Sequence, residues 1–239
     1  MKTFFFTISI MALVLATQSC NIQRVKGNGT IVEKEVAISD FDKMSFSGGA
    51  TIYYEQKKDE APYLKIEIDE NLFPLLEIES KGNSLSIGSG KESINPTKYN
   101  IYTNSKDLSE MKGSGSVKLF IKGALETEKL AIKISGSGDV KIDSISARSL
   151  ESRASGSSHI IVAGRVNSFG STISGSGKTD AYDLLADTVK CKVSGSGKFF
   201  VHADSLLDVS ISGSGKVNYK GKPEIKKSIS GSGKVIDNN

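Results

Sequence analysis

The chain has 239 residues, 38% hydrophobic and 24% charged, with four Pro and no Trp, which suits one or two globular units and excludes a disordered chain. Its net charge is +4, and since Lys2 is the only charge among the first twenty residues, the remainder holds 30 Lys and Arg against 27 Asp and Glu. So small an excess argues against a nucleic-acid partner.

Met1 to Ser19 reads as an export signal: Lys2, an apolar run from Phe4 to Ala16, then small and polar residues before Cys20. The run is too short and too early for a membrane-spanning helix. Leu15-Ala16-Thr17-Gln18-Ser19-Cys20 resembles a bacterial lipobox, which implies cleavage before Cys20 and a lipid on its sulfur. A plain secretory signal ending near a Cys is the alternative. The expected placement is an exported outer-membrane lipoprotein held to the membrane through Cys20, facing the periplasm or the cell surface; Asn21-Ile22-Gln23-Arg24 lacks an acidic surface-export mark, which favours the periplasm. With Cys20 lipidated, Cys191 has no disulfide partner, and its inward parity makes it a small core hydrophobe.

Residues 20–29 are expected to be a lipidated Cys and polar tether, 30–112 a strand-rich but irregular half, and 113–239 a regular repeat. Period-two alternation runs through Lys43 to Tyr53, Tyr63 to Asp69, Leu75 to Ser80 and Tyr99 to Thr103, with charged turns such as Ser80-Lys81-Gly82-Asn83 between them. Asn71 to Leu76 is the one place for a helical turn.

In the second half the phrase Ser-Gly-Ser-Gly-Lys, or a close variant, returns with its first glycine at Gly113, Gly136, Gly156, Gly175, Gly195, Gly213 and Gly231, in steps of 23, 20, 19, 20, 18 and 18 residues. Around each phrase alternate residues are apolar, as in Val189, Cys191, Val193, Gly195, Gly197, Phe199 and Val201, so both glycines are expected to face inward and both serines outward. A period near twenty predicts an all-β fold, a parallel β-solenoid (β-helix) with coils of about 18–20 residues, each strand pairing with its copy above and below at about 4.8 Å.

The opening Asp40-Phe41-Asp42-Lys43-Met44-Ser45-Phe46-Ser47-Gly48-Gly49, the middle phrases Asp69-Glu70-Asn71-Leu72 and Gly82-Asn83-Ser84-Leu85-Ser86-Ile87, and the Gly-Ser-Gly repeats together resemble the putative adhesins carrying a head GIN domain. The likeness covers Val36 to Asn239 and implies a repetitive β architecture at the bacterial envelope.

Chemistry is sparse. Gly175-Ser176-Gly177-Lys178-Thr179 ends like a phosphate-binding loop, but position 172 is Thr and a strand follows, so no nucleotide or other cofactor is expected. His159 and His202 are isolated, and the turn position that would carry Asp in a calcium repeat is Ser116, Asp139, His159, Lys178, Lys198, Lys216 and Lys234, so no metal is expected. Asp139 with Asp143, or Asp180 with Asp183, are the carboxylate pairs to weigh for a carbohydrate-active β-helix enzyme, a lyase or hydrolase. No catalytic residue is assigned, and a non-enzyme is expected.

What recurs is an outward ladder, Lys178, Lys198, Lys216 and Lys234, beside rows of Ser174, Ser194, Ser212, Ser230 and of Ser176, Ser196, Ser214, Ser232. Its plain reading is a solvated face that resists aggregation. Its sharper reading is a flat Ser/Lys surface for an anionic glycan or phosphate-bearing polymer, making the protein a non-catalytic adhesion or binding module with a glycan or protein ligand. After Ile229 to Ile236 only Asp237-Asn238-Asn239 remain, so the last strand is expected to form an open edge that frays or self-associates.

Overall fold

The computed structural model describes residues 24–239, and the proposed signal, Cys20 and the first residues of the tether lie outside them. Where the sequence alternates, strands form: β1 (Val25–Lys26), β2 (Ile31–Val36), β3 (Lys43–Gly48), β4 (Thr51–Gln56) and β5 (Leu64–Asp69). A single 3-10 turn, Phe73–Leu75, falls where the helical turn was expected. Then come β6 (Glu77–Lys81), β7 (Ser84–Gly88), β8 (Ile94–Asn95), β9 (Tyr99–Ser105), β10 (Glu110–Gly175), β11 (Lys178–Gly195), β12 (Lys198–Gly213), β13 (Lys216–Lys220), β14 (Glu224–Ser230) and β15 (Lys234–Asp237).

Thirteen of these strands make one sheet, ordered β15-β13-β12-β11-β10-β4-β9-β5-β2, with β14 on β12 and with β3, β7 and β6 leading off β10. The sheet is mixed, which overturns the parallel β-solenoid: β2 is antiparallel to β5, β5 to β9, and β6 to β7. The 66 residues of β10 do not run straight: their successive phrases stack on one another, since a Cβ on Gly136 would fall 2.5 Å from the Gly115 oxygen and one on Gly175 2.6 Å from the Gly156 oxygen. One cause of the mixed directions is local. Only Gly82 and Asn83 separate β6 from β7, with Gly82 at φ +56°, and so short a loop can only return the chain antiparallel. The other is long-range, because β5 inserts between β2 and β9 against the direction of both.

Within this sheet the Gly-Ser-Gly phrases meet in register, Gly175 against Gly195 and Gly195 against Gly213. The frame differs from the sequence reading at one point. Gly115, not Gly113, stands with the later first glycines: it pairs with Gly48, and a Cβ on Gly136 would fall 2.5 Å from its carbonyl oxygen. The two glycines of a phrase also differ. Gly197 is buried, whereas Gly195 is half-exposed with φ +118°, and a Cβ on it would lie 2.7 Å from the Gly175 oxygen. The first glycine is thus required by backbone conformation and close approach, the second by the space it occupies in the core.

The core is the inward row, including Val189, Cys191 and Val193 on β11 and Leu207, Val209 and Ile211 on β12. Burying each Val, Leu or Ile is worth about 1.5–3 kcal/mol. Cys191 is fully buried, as its parity predicts, and burial first, then Asp208, pushes its thiol well above the usual range. Among the buried polar side chains, three hydroxyls satisfy one another within the apolar rows: Ser152 donates to Ser171 Oγ at 2.7 Å, with Thr179 3.4 Å beyond. Residues 24–29, expected to be tether, are built into the fold. β1 pairs with β8, and buried Asp69 accepts from the Gly29 N–H at 2.8 Å and the Thr97 N–H at 2.7 Å. Burial alone would raise the Asp69 pKa, but the backbone N–H groups of Gly29, Thr97 and Lys98 outweigh it and hold the carboxyl below its ordinary value.

Candidate ligand-binding groove

The structure brings the four lysines of the predicted ladder into register, Lys178 against Lys198, Lys198 against Lys216, and Lys216 against Lys234. They are not equivalent. The Lys178 ammonium reaches Asp180 at 3.1 Å and sits 4.9 Å over the Phe200 ring, so it is already engaged, whereas Lys198, Lys216 and Lys234 are exposed. Ser176, Ser196 and Ser214 occupy the bends after the first glycines, each donating its N–H to a glycine carbonyl of the preceding phrase at 3.2, 3.0 and 2.9 Å. Their side chains, and that of Ser232, point to solvent.

A concave site lies at the other side of the bend. A groove of about 590 Å³ is lined by Ser45 and Ser47 of β3 and by Ser114, Ser135 and Ser155 of β10, with Lys112, Lys133 and Arg153 among them. Phe46, Ile87, Ile134 and Ala154 also border it, so its wall is largely apolar, with hydroxyls and cations set along it. Register explains the geometry, since Ser45 faces Lys112 and Ser47 faces Ser114 across the β3–β10 ladder. Ser174 at the groove's end continues the hydroxyl row to Ser194, Ser212 and Ser230.

The charges are unevenly neutralised. Glu110 takes hydrogen bonds from Lys133 at 2.5 Å and Lys112 at 3.0 Å, and those two bonds hold its carboxyl below the usual range. Arg153 lines the groove without an ion-pair partner among the described residues. With Glu110 beside the two lysines and Glu151 beside Lys133 and Arg153, three cations face two carboxylates, a net charge of +1. The sequence reading missed this set because it took Gly113 as the mark. Counted from Gly115, Gly136 and Gly156, the residues three positions earlier are Lys112, Lys133 and Arg153, and a basic residue returns there at Lys192.

A second outward row is aromatic. Tyr102, Tyr53 and Phe120 stack with centroids 5.0 and 5.4 Å apart and planes within 14°. Lys65 lies over Tyr102 and Lys122 over Phe120. The ring faces are therefore spent on each other and on the lysines, which makes the row a sheet-stabilising stack, about 0.5–1.5 kcal/mol per pair, and no platform for a sugar. Of the four weighed carboxylates one in each pair is engaged, Asp143 by Lys141 and the Gly123 N–H, both at 3.3 Å, and Asp180 by Lys178. His202 reaches Asp204 at 3.4 Å and His159 faces Lys178. Among the described residues no three His, Cys, Asp or Glu side chains are grouped to hold a metal.

The family described as "Putative auto-transporter adhesin, head GIN domain" matches residues 40–223. The chain belongs to that family. As a head GIN domain protein it joins an adhesin-type family, consistent with an exported or surface protein without a catalytic role. It is similar to the crystal structure of a protein from Parabacteroides distasonis described as a putative lipid binding protein, with 34% identity over 91% of this chain and 100% of that one, at a TM-score of 0.75. It is also similar to a putative adhesin from Bacteroides fragilis, 25% identical over 89% of this chain and 98% of that one, TM-score 0.80, and to one from Parabacteroides merdae, 27% identical over 90% and 99%, TM-score 0.67. No curated protein matches the chain.

Proposed function

We propose that this head GIN domain protein is a non-catalytic binding module of the cell envelope, anchored through a lipid on Cys20, that holds an anionic polymer along the groove of β3 and β10. One observation carries the reading: Lys112, Lys133 and Arg153 flank a row of serine hydroxyls within one concavity where cations outnumber carboxylates. Parallel strands about 4.8 Å apart repeat the same donors at a fixed step, which suits a chain of repeating sugars or phosphates better than a single small molecule. Hydroxyls can donate or accept, and cations select for carboxylate, sulfate or phosphate. The adhesin names of the Bacteroides and Parabacteroides relatives support the class.

The test is a screen of the soluble form starting at Asn21 on arrays of neutral, carboxylated, sulfated and phosphorylated glycans, repeated with Arg153→Glu and Lys133→Glu. Binding confined to anionic glycans, weakened about tenfold by each reversal and weakened by salt, is expected. Binding to neutral glycans alone, to lipid vesicles alone, or unchanged in both variants would overturn the reading.

A further inference from the structure

The sheet has two free ends of opposite charge. At one end β14 pairs only with β12 and β15 only with β13; at the other, β6 pairs only with β7 and β2 only with β5. Each of these four strands therefore carries a row of backbone N–H and C=O groups that no described residue meets. The core is also uncapped at the first end. Ile225 and Ile229 stand in register with buried Leu207 and Ile211, yet each is 38% exposed. Ile236 on the outward face of β15 and Ile31 on β2 are exposed as well.

Charge distinguishes the ends. The β2 and β6 end carries Glu33, Glu35, Glu77 and Glu79 against Lys34 and Lys81, a net −2. The β14 and β15 end, with the turn before β14, carries Lys220, Lys222, Lys226, Lys227 and Lys234 against Glu224 and Asp237, a net +3. Lys65 already holds Glu33 at 3.3 Å, which leaves Glu35, Glu77 and Glu79 without an ion-pair partner among the described residues, the last two on β6. An isologous contact would set like charge against like, whereas head-to-tail contact pairs opposite signs.

We infer that copies of this protein associate head to tail, the β14 and β15 end of one molecule docking on the β6 and β2 end of the next. Strand direction permits it. Every step from β14 to β7 is parallel and β6 then reverses, so a translated copy sets its β6 antiparallel to β14. On the other path β5 reverses and β2 reverses again, so β2 meets β15 parallel. The contact extends the sheet across molecules, covers Ile225 and Ile229, and brings Lys226, which stands on the outward face and is only loosely held by Glu224 at 3.6 Å, toward Glu77 and Glu79; Lys227 stands on the same side as Ile225 and Ile229. Being heterologous, it continues into a ring or filament. A polymer of this kind would multiply the proposed groove, but the inference stands on the edges and not on that groove.

Sedimentation velocity over a concentration series, on the protein purified as the cell processes it, tests the inference with two charge-reversed variants. Wild type should show concentration-dependent species larger than a monomer. Lys226→Glu with Lys227→Glu, and separately Glu77→Lys with Glu79→Lys, should each weaken association about tenfold or more. Mixing the two variants should restore it, because each reversed end then finds an opposite partner. Circular dichroism matching wild type shows that the variants fold. A wild type that stays monomeric at all concentrations, association unchanged in both variants, or loss in the lysine variant that mixing does not rescue would each overturn the inference, the last by indicating tail-to-tail contact.

Discussion

Replacing Gly195 by Ala tests the reading of the first glycine. At φ +118° an L side chain is strained, which costs about 1–3 kcal/mol, and its Cβ would lie 2.7 Å from the Gly175 carbonyl oxygen and 3.4 Å from Gly175 C and Cα. Those neighbours are backbone atoms inside a paired strand, so relief requires the β10–β11 ladder to move, adding about 1–3 kcal/mol. The total is about 4 kcal/mol, or a fall in melting temperature of roughly 8–16 °C for a chain of this size. Gly197→Ala is the internal control. Its Cβ would meet Ile173 Cγ2 at 2.9 Å and Val193 Cγ1 at 3.3 Å, side-chain atoms that can shift, and its φ is not positive. Overpacking alone predicts about 2 kcal/mol and roughly 4–8 °C. Scanning calorimetry of both variants against wild type decides the matter. If Gly195→Ala melts with wild type, or falls less than Gly197→Ala, then close approach at the first glycine is not what fixes the phrase.

Asp69→Asn should destabilise by about 1–3 kcal/mol, because an amide replaces one acceptor oxygen with a donor facing a backbone N–H. Since the Asp69 pKa is depressed in the folded state, its stabilisation is full above the unfolded carboxyl pKa near about 4 and is lost as pH falls through the lower folded value. Denaturant titrations should therefore show that acid limb flattened in Asp69→Asn, and an unchanged limb would refute the assignment. Cys191 should resist alkylation in native buffer and react fully in denaturant, as its burial and raised thiol pKa require; rapid native labelling would show an open core. Fatty-acid labelling should mark wild type and spare Cys20→Ala, whereas an unlabelled wild type would mean a plain secretory signal.

Alternation made the strands legible, because burial on one face writes period two directly into the sequence: β3, β4, β5 and β9 lie where Met44, Ile52, Ile66 and Ile101 fell on one parity. Strand direction was not legible in the same way. Period two is identical for parallel and antiparallel neighbours, and only the Gly82-Asn83 turn betrayed a reversal locally, while the place of β5 between β2 and β9 depends on contacts about 35 residues apart. The ladder of Lys178, Lys198, Lys216 and Lys234 was legible as a register, but the repeat could not tell that Lys178 is engaged by Asp180 and Phe200 while the other three stand exposed. Ser152 and Ser171 looked like ordinary serines on the inward parity, and only their mutual hydrogen bond shows why the core accepts them.

The groove and the lysine face differ in what a ligand would gain from them. At Lys198, Lys216 and Lys234 each ammonium stands exposed in water, where an added ion pair is worth little and is screened by salt. At Lys112, Lys133 and Arg153 the cations share a concavity with seven serines, so a ligand that loses water there finds several donors already placed by the sheet. Lys112 and Lys133 must surrender part of their bond to Glu110 to engage it, whereas Arg153 surrenders none and presents a planar fork matched to a carboxylate or sulfate. Arg153 is therefore the residue on which the orientation of a bound polyanion turns, with the serine row supplying the repeated, individually weak contacts that hold its length.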